Sequence, residues 1–181
     1  QQVLALLVSR LRNEITRMPT LKSLAELARS PLKLDLSPIL GDTVEELAYF
    51  LRQQSRALKQ TTLDTLDALL QHNSAQMGAQ LFALVLKEAS PLLLDTDLHL
   101  AHLSLRVVTA ILNVSPAAAE TVKTHIIPKA LVLASSPLLQ GLALHSLLTL
   151  FKELVATGAE GLGFEDLFGA LMQTVSTQLQ E

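Results

Sequence analysis

His99 and His102 stand three residues apart, a spacing that puts two imidazoles on one helix face where they could share a metal ion. Asp95 and Asp97 lie just ahead of them. A catalytic zinc site takes three protein ligands and an open position, and the chain has neither a cysteine nor a His-Glu-x-x-His string to complete one. The pair therefore reads as surface histidines at a helix start, with Asp95 or Asp97 as the N-terminal cap. Gly158-Ala159-Glu160-Gly161-Leu162-Gly163 resembles a phosphate cradle in composition only. It follows an apolar helical pattern instead of a strand and has no Lys-Ser/Thr partner, so it reads as a helix-ending turn. Glu45-Glu46 and Glu165-Asp166 are adjacent carboxylates, and adjacent residues on a helix do not face each other as an acid/base pair must. No Gly-x-Ser-x-Gly elbow presents a serine for attack. The expectation is a chain that is not an enzyme, with no catalytic residue, metal or cofactor.

Charge points to binding instead. The 14 basic and 17 acidic residues give a net −3, and with 3% aromatics this excludes a strongly basic or base-stacking nucleic-acid binder. The distribution is uneven. Residues 1–59 hold nine basic against six acidic side chains, and the remainder five against 11. Arg10, Arg12 and Arg17 gather around one inter-helix turn, and Arg52, Gln53, Arg56 and Lys59 around the next. Solvated ridge charges are the plain reading. The functional reading is a basic edge, with Arg52, Gln53, Arg56 and Lys59 facing an acidic protein partner.

The elements that must position these residues are helices. Leucine fills 43 of 181 positions, and a Leu- and Ala-heavy, aromatic-poor composition favours helix packed on helix over a sheet. An offset of 42 residues aligns four segments: Thr20, Thr62, Ser104 and Ser146 are followed by Leu21, Leu63, Leu105 and Leu147. Leu24, Leu66, Val108 and Leu150 come next, then Ala28, Leu70, Leu112 and Leu154. The i, i+3, i+7 spacing lays each set along one helix face. A second apolar helical pattern separates successive copies, so the unit is a helix pair.

First helices are expected near 14–29, 56–72, 97–114 and 140–157, with partners near 38–53, 75–89, 117–134 and 163–178. A helix over 2–11 is the second half of a preceding unit, which makes nine. Breakers mark the joints: Ser30-Pro31, Asn73-Ser74, Ser115-Pro116, Thr157-Gly158, and the return turns at Ser90-Pro91 and Ser136-Pro137. A period of 40–47 residues with two helices per unit is the HEAT/armadillo pattern. The expected architecture is all-α: one right-handed α-solenoid over 1–181, with repeats near 14–53, 56–89, 97–134 and 140–178 and the half-repeat at 2–11. The chain begins at Gln1 with no leader pattern and carries no polar cap at either end. It is therefore expected to be a piece of a longer array, with apolar surface at both ends and a monomeric or weakly self-associating state. The stretch between Lys129 and Lys152 lacks charge, but Ser135-Ser136-Pro137 divides it into two helices, so no membrane span is expected.

Longer strings carry a resemblance. Leu11-Arg12-Asn13-Glu14-Ile15-Thr16-Arg17, Ser30-Pro31-Leu32-Lys33-Leu34-Asp35-Leu36, Phe50-Leu51-Arg52, Arg56-Ala57-Leu58-Lys59 and Ser136-Pro137-Leu138-Leu139-Gln140-Gly141 resemble the cullin-associated, neddylation-dissociated proteins. These are also called TATA-binding-protein-interacting proteins. Asp42-Thr43-Val44-Glu45-Glu46 and the stretch around His99 are closer to the second vertebrate paralogue, the B form. The resemblance implies a middle section of a long HEAT solenoid that wraps an unmodified cullin with its RING subunit. Family members block the cullin's ubiquitin-like modification and promote exchange of substrate-adaptor modules on cullin-RING ubiquitin ligases. The B form is further linked to TATA-binding protein and transcription, in nucleus and cytoplasm. The family's main cullin contacts lie towards its two ends, so a middle section is also expected to act as a spacer that sets curvature.

Overall fold

The computed structural model describes residues 2–178, and every regular element among them is helical. Contacts divide the chain into two compact units, with the division after Glu88. The first contains α1 (Gln2–Arg12), α2 (Glu14–Arg29), α3 (Ser37–Leu51), α4 (Arg56–Asn73) and α5 (Ala79–Ala89), whose last residue lies across the division. The second contains α6 (Leu98–Val114), α7 (Ala119–His125), α8 (Ile127–Ala134), α9 (Gly141–Thr157) and α10 (Phe164–Gln178). Gln1 and residues 179–181, which the expected solenoid limits also take in, lie outside the described residues.

Helix limits follow local chemistry. Asn13, Ser55 and Asp97 occupy N-cap positions, where their side-chain oxygens accept from the backbone N–H groups of Ile15, Leu58 and Leu100. Asp97 is thus the cap expected ahead of His99. Gly158 ends α9 in the left-handed region at φ 65°, a conformation open to glycine without steric cost. One expectation is corrected. The stretch 117–134 forms α7 and α8 instead of one helix, giving ten α-helices among the described residues where nine were expected. Pro128 has no N–H to give to the carbonyl four residues back, and its ring crowds that carbonyl, so the ladder breaks and restarts at Ile127.

Packing shows what the 42-residue stripe is for. All 12 of its apolar positions are buried, from Leu21 at 0% exposure to Ala28 at 6%. Within the first unit α2 packs on α4, and α1 packs on both α2 and α3. Within the second α6 packs on α9, while α8 meets α9 and α10. First helices therefore stack on first helices and second on second, in two layers, the arrangement of an all-α solenoid. Thr65 illustrates the closeness: its hydroxyl donates to Leu21 O across the α2–α4 seam at 3.2 Å.

Apolar side chains remain exposed at Val3, Leu6 and Ile15 in the first unit, and at Phe164, Phe168, Met172 and Val175 in the second. No helix among the described residues is long and apolar enough to cross a membrane, and the turn after Ala134 separates α8 from α9 as Ser135-Ser136-Pro137 predicted.

Replacing a stripe residue of α4, which packs on α2 and α3, should leave a cavity in the first unit. Leu63→Ala, at a fully buried site, is expected to lower unfolding free energy by about 2–5 kcal/mol. Urea unfolding followed by circular dichroism measures it, and a loss under about 1 kcal/mol would contradict the packing just described.

Candidate functional site

The α3–α4 turn is built from four residues. Arg52 N donates to Tyr49 O and Gln53 N to Phe50 O, closing the end of α3, and Ser55 starts α4. So short a turn brings Arg52, Gln53, Arg56 and Lys59 to one edge. Arg52 and Arg56 are exposed, and Gln53 and Lys59 are half-buried. This is the cluster that charge and position singled out.

Its members differ in what holds them. The Arg52 guanidinium grips Glu88 of α5 through two parallel hydrogen bonds, Nε to Oε2 at 2.8 Å and Nη2 to Oε1 at 2.5 Å. Glu88 is 8% exposed, so both its oxygens are satisfied by one side chain reaching from the preceding pair. The side-chain hydrogen bond to Glu88 and the attraction of its charge hold the Arg52 pKa above the usual guanidinium value. The α1–α3 seam repeats the device: Arg12 Nε donates to Glu46 Oε1 at 2.7 Å. Arg17 donates to Leu11 O at 3.2 Å and lies 4.6 Å from the centre of the Phe50 ring. In the second unit Lys123 Nζ donates to Glu160 O at 2.8 Å. Three cations, Arg12 and Lys123 on second helices and Arg52 just past the end of α3, thus reach 34, 36 and 37 residues onward, to the following pair. Sequence reasoning placed the cations and missed these partners, because a separation near 36 depends on loop length as well as helix phase.

The histidines form no metal centre. Among the described residues no three His, Cys, Asp or Glu side chains converge on a cation-sized space. His99 and His102 lie 6.3 Å apart ring to ring, and His102 Nδ1 instead meets the Ser146 hydroxyl of α9 at 2.7 Å. Ser146 belongs to the buried hydroxyl column that heads each stripe. Thr20 satisfies its hydroxyl on Thr16 O, while the Thr62 and Ser104 hydroxyls have no protein partner. Burial pushes the His102 pKa down, helped by the charges of Arg106, His99 and His145, against an opposing hydrogen bond with the Leu142 backbone. The glycine-rich stretch after α9 is a turn: Gly158 and Gly161 take positive φ, and Gly163 N donates to Asp166 Oδ2 ahead of α10.

The chain is similar to cullin-associated NEDD8-dissociated proteins. Over 172 residues it is 38% identical to protein 1 of that name from Drosophila melanogaster, covering 95% of this chain and 14% of the relative. Protein 2 from Rattus norvegicus is 36% identical over 179 residues, covering 99% of this chain and 14% of the relative. Protein 1 from Arabidopsis thaliana is 37% identical over 155 residues, 84% of this chain and 13% of the relative. The chain therefore spans about one seventh of the length of these relatives. Identities of 36–38% to both forms do not separate form 1 from form 2. No family model matches the chain. The relatives are named for association with cullins, not for a reaction.

Two outcomes follow from the side-chain geometry. Arg52→Ala leaves a buried carboxylate unpaired and is expected to lower the urea midpoint, and adding Glu88→Gln should recover part of the loss. A wild-type midpoint for Arg52→Ala would remove the pair from the account of stacking. For His102, a folded-state pKa below the unfolded 6.5 means that the unfolded chain binds the proton more readily. The stability His102 contributes is present above pH 6.5 and is lost as pH falls from there through its folded pKa. His102→Gln should flatten the stability profile between pH 7 and 5, read from denaturant midpoints at each pH.

Proposed function

We propose that this chain is a segment of a cullin-associated, neddylation-dissociated scaffold, a non-enzymatic solenoid that binds unmodified cullin with its RING subunit. The observation that carries this reading is the similarity to proteins of that name along 84–99% of the chain, in two kingdoms and in both numbered forms. In this reading the scaffold blocks the cullin's ubiquitin-like modification and promotes exchange of substrate-adaptor modules on cullin-RING ligases. The strings quoted above support that finer reading, and Asp42-Thr43-Val44-Glu45-Glu46 supports the B form with its link to TATA-binding protein. Absence of cysteine fits the reducing nucleus and cytoplasm as the place of action.

The α3–α4 edge is our proposed contact. Arg56 and Lys59 sit in the first turn of an 18-residue helix, where the positive end of the helix dipole adds to their charge and favours an acidic surface. Arg52 has a structural task with Glu88, so the test should spare it. A second reading has its own support. Arg12, Arg17 and Arg52 all spend their charge inside the chain, as they would in a spacer that sets the span of a longer solenoid.

One experiment separates the two. The chain is titrated in solution against an unmodified cullin–RING complex and against the modified form. Binding to the unmodified form only, weakened about tenfold by Arg56→Glu/Lys59→Glu mostly through a slower on-rate, supports the contact. No binding, or binding indifferent to the double substitution, turns the reading to the spacer.

A further inference from the structure

A second basic feature lies at the other ends of the same first helices. The C-terminal ends of α2 and α4, with the α2–α3 loop, enclose a cleft of about 570 Å³, within the size range of ligand pockets. Arg29 and Lys33 supply its positive charge, His72 adds an imidazole, and no Asp or Glu lines it. Ala28, Pro31 and Leu34 provide apolar surface. The cleft lies in the half of the chain where basic side chains outnumber acidic ones, and its lining holds cations and no carboxylates.

Cations in the last turn of a helix also serve the helix itself by offsetting its negative end, and Arg29 and His72 fit that role. Lys33 does not. It lies outside any helix, four residues beyond Arg29, and is the sole non-glycine residue with positive φ among the described residues, at 46°. Holding a lysine in the left-handed region is unfavourable for an L side chain. The turn that does so is closed by Lys33 N donating to Ser30 O at 3.3 Å, with the Ser30 hydroxyl accepting from Leu32 N. Arg29 is only loosely held, by an exposed contact of 3.3 Å with Glu26.

The remaining wall decides the ligand class. Gln71 spends its amide N–H on Asp67 Oδ2 at 3.0 Å, which leaves its carbonyl oxygen as an acceptor. The C-terminal carbonyls of α2 and α4 carry the negative ends of both helix dipoles, with Leu27 O already accepting from Ser30 N. A free phosphate or polyphosphate has no donor for the Gln71 oxygen and would meet the negative ends of two helices. A peptide brings both kinds of group: backbone N–H donors for Gln71, and carboxylate side chains for Arg29 and Lys33. We propose that this cleft is a docking site for a short acidic peptide segment of a protein partner, with Lys33 and Arg29 reading its carboxylates and Gln71 its backbone. The site is separate from the α3–α4 edge and stands whether or not that edge contacts a cullin.

The test uses the whole chain and three probes: a fluorescein-labelled peptide of alternating Asp/Glu and Leu/Ala, its Lys-substituted counterpart, and inorganic polyphosphate. Fluorescence polarisation should show saturable binding of the acidic peptide and none of the basic one. Arg29→Glu/Lys33→Glu should weaken the peptide at least tenfold, with circular dichroism confirming that the variant is folded. Gln71→Ala should weaken it several-fold. Lys152→Glu, on α9 in the other unit, should leave binding unchanged. The proposal is overturned if the acidic peptide fails to bind, if the Arg29/Lys33 variant binds it as well as the parent does, or if polyphosphate displaces it and Gln71→Ala has no effect. The last outcome would make the cleft a plain anion site.

Discussion

Everything in this chain follows from one constraint: a helix pair is too small to bury both of its apolar faces. A stripe of Leu, Val and Ala along each first helix meets the pair's own second helix on one side, and a neighbouring first helix must cover the rest. Within each unit, repetition every 42 residues solves the problem by setting one first helix against the next, α2 against α4 and α6 against α9. The 12 stripe residues are buried in all four copies, from α2 to α9. Each buried Leu or Val is worth about 1.5–3 kcal/mol, so the stripe outweighs every polar contact in the molecule as a source of stability.

Polar contacts then set what apolar packing leaves loose. Leucine against leucine tolerates sliding, because area changes little with a small shift. A bidentate Arg52–Glu88 pair does not, since both bonds need the fork and the carboxylate face to face. Arg12–Glu46 and Lys123–Glu160 O act at comparable places in their seams. Pairs this exposed on the cation side add little energy, and their value lies in fixing where one pair sits along the next. Thr65 to Leu21 O and His102 to Ser146 do the same inside the first-helix layer. The His102 contact has a second consequence. It ties that one seam to pH, through an imidazole whose pKa burial lowers.

Legibility followed the range of the cause. The stripe, the joints and most helix limits are set by residues within one or two turns of each other and could be read directly, although the helix expected near 75–89 begins at Ala79, after a 3-10 turn over Ser74–Gln76. Asp97 as a cap, Gly158 as a stop and the turn after Ala134 belong to this class. The break between α7 and α8 was harder, because Pro128 suits the first turn of a helix as well as it interrupts a longer one, and sequence alone does not say which. The ion pairs were not legible. Charge and position marked Arg52 as an edge residue, which it is, but its commitment to Glu88 depends on the lengths of two loops and the phase of three helices. The same limit hid the cleft near Lys33, whose walls come from residues some 40 positions apart.

A stacked array offers edges in place of an active site, and in the first unit the two edges of the first-helix layer are chemically unlike. At the N-terminal edge of α4 the positive end of the helix dipole adds to Arg56 and Lys59, so dipole and side-chain charge point the same way. Such an edge suits a broad acidic surface approached through its field. At the C-terminal edge the Gln71 amide oxygen and the negative helix ends oppose the cations Arg29 and Lys33, and the acidic peptide proposed above carries groups for both. The direction of the helices, which the stacking of α2 on α4 imposes, thus gives one layer two different selectivities before any side chain on a partner is considered.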